Sequence, residues 1–326
     1  MNHAVTEDNL DNLKSYLADT RQNLRWSSVF VLPAWMQTWW RVFGTPMAMM
    51  ILSLRRDGNI NGVAPLMRKT ETAYFLGGTD VCDYMDFITA PGMETEFFSD
   101  LMDYLRNSGI SKMDLAHVRD DSTVLKYLQP VAESKGYKVT VNSEEVSLEA
   151  DLPADWEEYL ALLNGKQRHE VRRKLRRLYE SGQVDYRFSD SRELVSGYMD
   201  IFLSMFRESR QDKADFLTEQ KEEYFRLLAD NMSEEGLLKF GVLRLDNKPV
   251  ACIMCFDYND CVYLYNSGYD PEYNYLSVGL LSKVMSIRES ILTGRKRYDF
   301  LKGSEPYKYH LGGKEVTLSR CLIDLK

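Results

Sequence analysis

The chain has 326 residues, of which 44% are hydrophobic and 28% are charged, and its net charge at pH 7 is −8. This composition is typical of a globular protein long enough for two domains, and the negative charge disfavours nucleic acid or anionic membrane as a partner unless a local surface is basic. No apolar segment approaches the roughly 20 residues that cross a bilayer, and Met1–Thr20 is polar without a signal-peptide core, so we expect a cytoplasmic protein.

The cysteines and histidines indicate neither a disulfide framework nor a metal site. Cys252 and Cys255 form a C-x-x-C within V-A-C-I-M-C-F, which is typical of a buried strand, where residues three apart point to opposite faces. We therefore expect buried free thiols and no bound metal. The residues concerned are Cys82, Cys252, Cys255, Cys261 and Cys321, together with His3, His117, His169 and His310, which lack metal-ligand spacing.

Two parts of the chain share one order of predicted elements. Leu52–Leu66 and Val242–Met254 each read as strand, polar turn and strand, with the turns at Asp57–Asn59 and Asp246–Pro249. Aromatic-rich helical sequence precedes both. Any two hairpins look alike, but the shared order favours two copies of one α/β unit.

The remainder of the first half alternates between helix and strand signals. The pattern predicts a helix over Phe97–Leu105, a strand over Lys112–Ala116, a helix over Asp121–Lys135 capped by Gly136, and strands over Lys138–Val141 and Val146–Glu149. A domain boundary follows near Ala150–Ala154. Beyond it, Asp155 and Glu158 form a capping signal for the next helix.

The segment Gly165–Gly182 is the most basic part of the chain. Val171, Leu175 and Leu178 define one packed face of a helix, and seven cations occupy the rest. These are Lys166, Arg168, Arg172, Arg173, Lys174, Arg176 and Arg177. The helix is either a solvated face paired with carboxylates or a dock for an anion such as an acceptor, CoA phosphates or RNA, for which Arg168, Arg172 and Arg176 are the candidates.

The second half predicts helices, an antiparallel three-strand meander, another helix and further strands. The predicted helices are Leu194–Arg210, Glu219–Asn231 and Ser277–Thr293, and the predicted strands are Leu238–Leu245, Val250–Tyr258, Cys261–Asn266, Arg297–Leu301 and Val316–Ile323. Where a strand passes into a helix, the helix N-terminus offers unpaired N–H groups to a pyrophosphate. Here those groups belong to Val278, Gly279 and Leu280.

Asn274–Gly279 resembles the Q/R-x-x-G-x-G/A pyrophosphate loop of the GNAT acyltransferases, with Asn274 and Ser277 in place of Gln/Arg and Gly and with Gly279 retained. Ser277 could cap the helix or donate its hydroxyl to phosphate. The chain is similar to the CelD/BcsL-type branch of polysaccharide biosynthesis proteins and to the Fem peptidyltransferases. The shared motifs are G-V-A-P-L at Gly62–Leu66, D-Y-M-D-F-I at Asp83–Ile88, S-G-Y-D-P at Ser267–Pro271, Y-D-F-L-K-G at Tyr298–Gly303 and Y-K-Y-H-L-G-G at Tyr307–Gly313.

The resemblance implies an α/β (α+β) fold of two tandem GNAT-like domains, each a mixed, largely antiparallel sheet flanked by helices. Residues 1–150 would form a non-catalytic domain, since no comparable loop follows its meander, and residues 151–326 the acyltransferase domain. It further implies transfer of an acyl group, by expectation acetyl from acetyl-CoA, to an amine. The acceptor would be an amino sugar or polysaccharide precursor bound in the cleft between the domains.

In this fold the strand before the pyrophosphate loop splays from its neighbour, and a freed N–H can bond the thioester carbonyl. Asn266, Ser267 and Gly268 lie where that splay is expected, although N-S-G is also a common strand-end turn.

Lys308 is the preferred catalytic residue, because Tyr307–Gly312 resembles the F-K-x-x-F-G segment of the Fem proteins, whose lysine stabilises developing negative charge. The alternative is an exposed surface lysine. Asp299, within an apolar strand, is expected to pair with Lys308 or a backbone N–H, with acceptor binding as a second possibility. Glu305 and His310 are candidate bases.

Two other functions stay open at this stage. One is a Fem-like transferase that uses aminoacyl-tRNA, which the basic helix favours and the net charge disfavours. The other is a GNAT-like scaffold without catalysis in a synthase complex, for which Asn274 and Ser277 are the best support.

Overall fold

The computed structural model describes residues 3–44, 46–56, 58–190 and 192–326. The chain forms two compact units: unit 1 comprises Met1–Val146 with Val316–Lys326, and unit 2 comprises Ser147–Glu315. The C-terminal segment Val316–Lys326 therefore belongs to the unit that the N-terminal half builds. A division of the chain at one boundary near residue 150 does not describe this return. Asp57 of the first predicted turn, like Met1 and Asn2, lies outside the described residues.

Unit 1 is a mixed sheet flanked by helices. Its strands follow the order β1-β2-β3-β4-β6-β13, and β5 pairs with β3. The elements are β1 (His3–Asp8), α1 (Leu10–Ala18), α2 (Pro33–Phe43), β2 (Ala48–Arg56), β3 (Asn59–Lys69), β4 (Thr72–Phe75), β5 (Ile88–Thr89), α3 (Glu94–Asn107), β6 (Lys112–Arg119), α4 (Gln129–Ser134), the first part of β7 (Lys138–Asp151) and most of β13 (Lys314–Asp324). The predicted helix at Asp121–Lys135 is a π-helical turn at Val124–Leu128 followed by α4, and the two strands predicted over 138–149 are the single strand β7.

Unit 2 repeats this arrangement with a larger set of helices. The strand order is β7-β12-β11-β10-β9-β8. Its elements are α5 (Trp156–Leu162), α6 (Gly165–Glu180), β8 (Val184–Ser189), α7 (Arg192–Ser209), α8 (Gln211–Phe216), α9 (Glu219–Glu234), β9 (Leu238–Leu245), β10 (Lys248–Tyr258), β11 (Cys261–Tyr269), a 3₁₀ segment at Pro271–Leu276, α10 (Val278–Leu292), β12 (Arg297–Lys302) and α11 (Pro306–His310). Asp155 caps α5 by accepting from the N–H groups of Glu157 and Glu158, as the capping signal predicts.

The internal repeat is visible in the strand pairing of each unit. β2 pairs with β3 and β9 with β10 as antiparallel hairpins, and the second hairpin turns at Asp246 and Asn247, both with positive φ. In unit 1, β4 runs parallel to β6 over only three pairs, Thr72–Tyr74 with Lys112–Asp114. In unit 2, β11 runs parallel to β12 over the three pairs Cys261–Tyr263 with Arg297–Asp299. Both units therefore hold a short parallel pair whose strands separate early.

Each unit has its own apolar core. Phe30, Trp35, Phe87, Phe97 and Phe98 are fully buried in unit 1. In unit 2 the fully buried aromatic side chains include Phe202, Phe206, Tyr224, Phe225 and Phe240. The five cysteines are buried free thiols, and no cluster of three metal-ligating side chains occurs within the described ranges. None of the helices that the structure describes has the length and apolar character to cross a membrane.

Candidate functional site

The separation of β11 from β12 creates an opening at the edge of β11. Parallel pairing ends at Tyr263, after which β11 stays paired with β10 up to Tyr269, while β12 pairs with β7. The β10–β11 register shifts by one residue between Met254 and Cys255, so the strand carries a bulge next to the opening. We refer to this opening, bounded by residues 264–269, as the splay.

Ser267 presents its backbone to the splay. The N–H of Asp270 donates to Val250 O at 2.9 Å, so residue 270 faces β10. In an antiparallel pair the hydrogen-bonding direction alternates along the strand, which turns Asn266 and Gly268 towards β10 and Ser267 away from it. Of the three residues predicted here, Ser267 is thus the one whose N–H and carbonyl point into the opening.

Gly268 has a packing function. A Cβ at this position would lie 2.4 Å from the backbone N of Phe206 and 2.6 Å from the carbonyl carbon of Met205. Only glycine therefore lets α7 approach the strand this closely.

Two lysines outside the predicted site residues donate hydrogen bonds to Ser267. Lys213 of α8 donates to its carbonyl oxygen, and Lys283 of α10 donates to its Oγ at 2.9 Å and to Gly279 O at 2.7 Å. Burial, and secondly the charge of Lys213, lowers the pKa of Lys283 to about 7. Burial, and secondly Arg210, lowers the pKa of Lys213 to about 8.

A signal for Lys283 exists in the sequence, because α10 is buried around most of its circumference and Lys283 is a cation within that apolar run. Lys213 lies in a mixed-charge segment that gives no such signal.

The N-terminus of α10 lies close to the basic helix α6. Ser277 takes a left-handed backbone conformation (φ 59°, ψ 36°) and makes no side-chain cap, contrary to one of its two expected functions. Its Oγ accepts instead from Lys174 Nζ at 3.1 Å and Arg177 Nη2 at 3.4 Å. Two cations therefore lie at the positive end of the α10 dipole, an arrangement that suits an anion.

The backbone donors at this helix end are fewer than predicted. The N–H of Leu280 is taken by Ser277 O at 3.0 Å. Val278 and Gly279 carry the first two N–H groups of the helix, which an α-helix leaves without an intrahelical acceptor. Asn274 is exposed in the preceding 3₁₀ segment, and its carbonyl accepts from Ser277 N at 2.8 Å. A Cβ on Gly279 would meet the Tyr269 ring at 2.6 Å, so this glycine is required for packing.

The three arginines predicted to bind an anion have local partners. Arg172 pairs with Glu157, Arg176 lies 3.9 Å from Glu180, and Arg168 donates to Ala161 O at 3.4 Å. The cations of α6 that reach α10 are Lys174 and Arg177. Both flank the packed stripe of Val171 and Leu178, so helical geometry could have selected them.

Lys308 is buried, with 2% of its surface exposed, and its ammonium has two backbone carbonyls and a carboxylate around it. Its Nζ donates to Leu301 O at 2.9 Å and Lys302 O at 2.6 Å and lies 3.0 Å from Glu305 Oε2. Lys308 therefore fixes the segment from β12 to α11, and it is not the exposed lysine that formed the alternative.

Asp299 is also buried, and it accepts from the N–H of Leu301 at 2.7 Å and from Ser147 Oγ at 3.3 Å. Leu301 has a left-handed φ of 62° beside the register shift of β12. Of the two partners expected for Asp299, the structure provides the backbone N–H, and the ammonium of Lys308 is bound elsewhere.

Tyr307 and His310 lie on different sides of α11. The Tyr307 ring is 5.2 Å from Lys283 Nζ, and burial, followed by the nearby Glu305, raises the pKa of Tyr307 well above its usual value. His310 is exposed and lines a cavity of about 320 Å³ together with Lys174 of α6 and Leu280 of α10. Tyr307 and Glu305 thus belong to the surroundings of the splay, while His310 faces the cavity beside the α10 N-terminus.

Residues 165–309 match the model of the acetyltransferase (GNAT) domain family. The match begins with α6 and includes both the splay and the N-terminus of α10. No curated protein sequence matches the chain significantly.

Several solved structures share the fold. FemX is 12% identical, with 98% of this chain and 97% of that chain covered at a TM-score of 0.68. The L-PGS of Bacillus licheniformis is 10% identical, with 85% and 84% covered at 0.53. A tandem GNAT protein from the clavulanic acid biosynthesis pathway is 10% identical, with 98% and 97% covered at 0.50. At these identities the similarity concerns the fold alone, and it confirms the predicted mixed α/β fold of two GNAT-like domains. Residues 165–309 are thus similar to an acetyltransferase (GNAT) domain, and the fold is similar to those of FemX and a tandem GNAT protein.

Proposed function

We propose that unit 2 is an N-acyltransferase that takes an acyl group from acyl-CoA and transfers it to an amine. The observation that carries the proposal is the placement of the Ser267 backbone at the splay, with the α10 N-terminus flanked by Lys174 and Arg177 on the same domain. The match of residues 165–309 to the GNAT acetyltransferase domain supports it.

The described residues suit the chemistry of this substrate. The N–H groups of Val278 and Gly279 would bond the pyrophosphate, assisted by the charges of Lys174 and Arg177. The N–H of Ser267 would bond the acyl carbonyl, and such a preorganised donor is worth roughly 10²–10³ in rate. The loop departs from the family pattern at Ser277, where the left-handed backbone of a glycine is nonetheless present.

Charge and proton transfer have several candidate groups. The Lys213 and Lys283 amines, both hydrogen-bonded to Ser267, would supply positive charge close to the acyl group. Lys308 would serve this end indirectly, by holding the segment that carries Tyr307 and Glu305. Glu305 and His310 stay candidates for the base, and Asp299 for acceptor positioning.

The acceptor proposal rests on the sequence resemblance. The proposed acceptor is the amine of an amino sugar or of a polysaccharide precursor, and the proposed donor is acetyl-CoA. Arg168, Arg172 and Arg176 are candidate contacts for the acceptor. The N-terminal domain would be non-catalytic.

Charge-removing variants of α6 test the site. Lys174→Met with Arg177→Met is expected to weaken acetyl-CoA binding by about 100-fold or more, because each of the two charge-assisted hydrogen bonds contributes about 1.5–3 kcal/mol. Arg172→Met with Arg176→Met is the matched control and should change the dissociation constant less than about threefold. Equal effects of the two double variants, measured by calorimetric titration, would contradict this assignment of the pyrophosphate site.

A second candidate is transfer from aminoacyl-tRNA, as in the Fem family. The similarity to FemX over 98% of the chain and the basic helix α6 favour it. Aminoacyl transfer that ribonuclease abolishes would establish this alternative. If the protein bound neither acyl-CoA nor aminoacyl-tRNA, the result would instead favour a non-catalytic scaffold.

A further inference from the structure

Two lysines from different helices converge on one residue of the splay. Lys283, with 8% of its surface exposed, bonds Ser267 Oγ and Gly279 O, and half-buried Lys213 bonds Ser267 O. Aromatic rings line their approach: Lys213 Nζ lies 4.7 Å from the Phe206 ring, and Lys283 Nζ lies 5.2 Å from the Tyr307 ring. The geometry brings two amines to the same point of the strand edge.

Neither amine has a carboxylate partner within the described part of the chain. Asp212 is paired with Arg210 at 2.8 Å, and Glu305 lies 3.0 Å from Lys308. The titratable and charged groups around the two lysines are Arg210, Asp212 and Glu305 for Lys213, and Lys213, Cys255, Glu305, Lys308 and Tyr307 for Lys283. Burial lowers the pKa values of both lysines, and the neighbouring cation, Arg210 for Lys213 and Lys213 for Lys283, lowers them further.

This arrangement differs from that of a structural lysine. Lys308, the residue after Tyr307, donates to two backbone carbonyls and has the Glu305 carboxylate as a counter-charge at 3.0 Å. Lys283 uses two of its three donors and Lys213 uses one. Two amines beside the splay therefore have no counter-charge, and three of their N–H donors have no acceptor among the described residues. Burying a cation without a counter-charge is costly, and an anionic ligand group removes that cost.

We propose that Lys213 and Lys283 bind a carboxylate at the far end of the acyl group, so that the donor is a dicarboxylic acyl-CoA of the succinyl or malonyl type. This inference rests on the proposed function and names its donor class. The acyl carbonyl would bond the N–H of Ser267, and the two lysines are hydrogen-bonded to the same residue, so the distal carboxylate of a short acyl chain would lie within their reach. An aminoacyl group, which carries an ammonium, would be repelled.

Binding of succinyl-CoA and butyryl-CoA to the full chain tests the proposal, since the two acyl groups have equal numbers of carbons and only one is charged. We expect succinyl-CoA to bind at least tenfold more tightly at pH 7.5 in calorimetric titration. Titration in two buffers of different ionisation enthalpy should show net proton uptake with succinyl-CoA alone, because the carboxylate restores the charge of lysines whose pKa values burial has lowered to about 7 and 8.

Single variants remove the preference. In Lys283→Met and in Lys213→Met the ratio of the two dissociation constants should fall to within about threefold of one, and proton uptake should disappear. Lys296→Met, on the exposed loop before β12, should keep both the preference for succinyl-CoA and the proton uptake. Thermal unfolding gives a readout without ligand: removal of an unpaired charge should leave stability unchanged or higher. If Lys283→Met does not fold, Lys213→Met and the wild-type comparison decide.

Equal affinity for the two acyl groups, or a preference that survives both lysine variants, would overturn the inference and leave the proposed function intact. Failure of any acyl-CoA to bind would overturn both.

Discussion

Three lysines near the splay differ in what compensates their charge. Lys308 is satisfied by two carbonyls and Glu305, whereas Lys213 and Lys283 meet only oxygens of neutral groups. The first arrangement contributes to the stability of the fold, and the second is suited to a ligand. The lysine of the motif that resembles the Fem segment is bonded to backbone carbonyls, and the two amines that bond Ser267 lie outside that motif. A catalytic function of Lys308 stays a prediction.

Lys308→Met should lower the free energy of unfolding by about 2–4 kcal/mol, because it leaves two backbone carbonyls without their donor and Glu305 without its counter-charge. Urea denaturation measures the change. Lys296→Met, an exposed lysine on the preceding loop, should alter stability by less than about 0.5 kcal/mol. A Lys308→Met protein as stable as that control would show that the three contacts contribute nothing.

Asp86, in the D-Y-M-D-F-I motif of unit 1, is predicted to make stability depend on pH. Burial raises the pKa of Asp86 to about 6, although the N–H groups of Phe87 and Thr123 and the Thr123 hydroxyl donate to it. The folded state therefore holds a proton that the unfolded state releases near pH 4, so stability falls as the pH rises from about 4 through about 6.

Asp86→Asn removes this dependence. The stability of the variant relative to the wild type should rise by about 2–3 kcal/mol between pH 4 and pH 7.5. Thermal or urea unfolding over that range measures it, with exposed Asp120→Asn as the control that should show no such trend. A flat difference for Asp86→Asn would contradict the account.

At the scale of elements, the contact between α7 and β11 depends on a missing side chain. Gly268→Ala would place a methyl group 2.4 Å from the Phe206 backbone, which cannot rotate away as a side chain could. We expect a loss of about 3 kcal/mol or more in the free energy of unfolding.

Gly165→Ala, at the start of α6 with nothing within 4 Å, is the matched control and should be neutral or stabilise by up to about 1 kcal/mol. Chemical denaturation of both variants decides. Similar stability of the two would mean that the helix and strand can separate without cost.

Helices and strands with strong periodicity could be predicted from sequence alone. β9 has the predicted bounds Leu238–Leu245, and α9, α10 and β12 match to within a few residues, because their apolar faces pack against the sheet. The strands β1, β4 and β8 and the short helix α11 were not predicted. β1 and β8 lie at the ends of the strand order, and no side chain of β8 is fully buried, so the pairing of β8 depends on tertiary neighbours rather than on its own pattern.

The candidate site could be predicted only in part, for a related reason. The strand–turn–helix at Ser267–Gly279 was found because glycine, serine and the strand end leave a local pattern. The contacts of Lys174 and Arg177 with Ser277 span about 100 residues, and those of Lys213 and Lys283 with Ser267 join separate helices to a strand. No local pattern encodes such convergence, although the burial of α10 marks Lys283 as unusual.

For the whole molecule, the most consequential feature is the return of the chain to unit 1. β13 pairs with β6, and Leu318, Cys321, Ile323 and Leu325 are buried there, while Arg320 pairs with Asp114 at 2.6 Å. Each buried apolar side chain contributes about 1.5–3 kcal/mol to stability, and the whole free energy of unfolding of a domain is only about 5–15 kcal/mol.

Termination after Glu315 is therefore expected to unfold unit 1. Hydrogen exchange should show loss of amide protection in β2, β3 and β6, with protection retained in β9 and β10 of unit 2. Full-length Arg320→Met is the control and should keep protection in both units. Retained protection of β2 and β3 in the shortened chain would show that unit 1 is complete without its last strand.

Calorimetric titration of the full chain with acetyl-CoA and free CoA tests most directly whether unit 2 binds acyl-CoA at the splay and the α10 N-terminus. The account predicts saturable one-site binding at micromolar concentrations for both ligands, with about 2.7 kcal/mol of stabilisation at 100 times the dissociation constant. No heat and no thermal stabilisation by either ligand would contradict it.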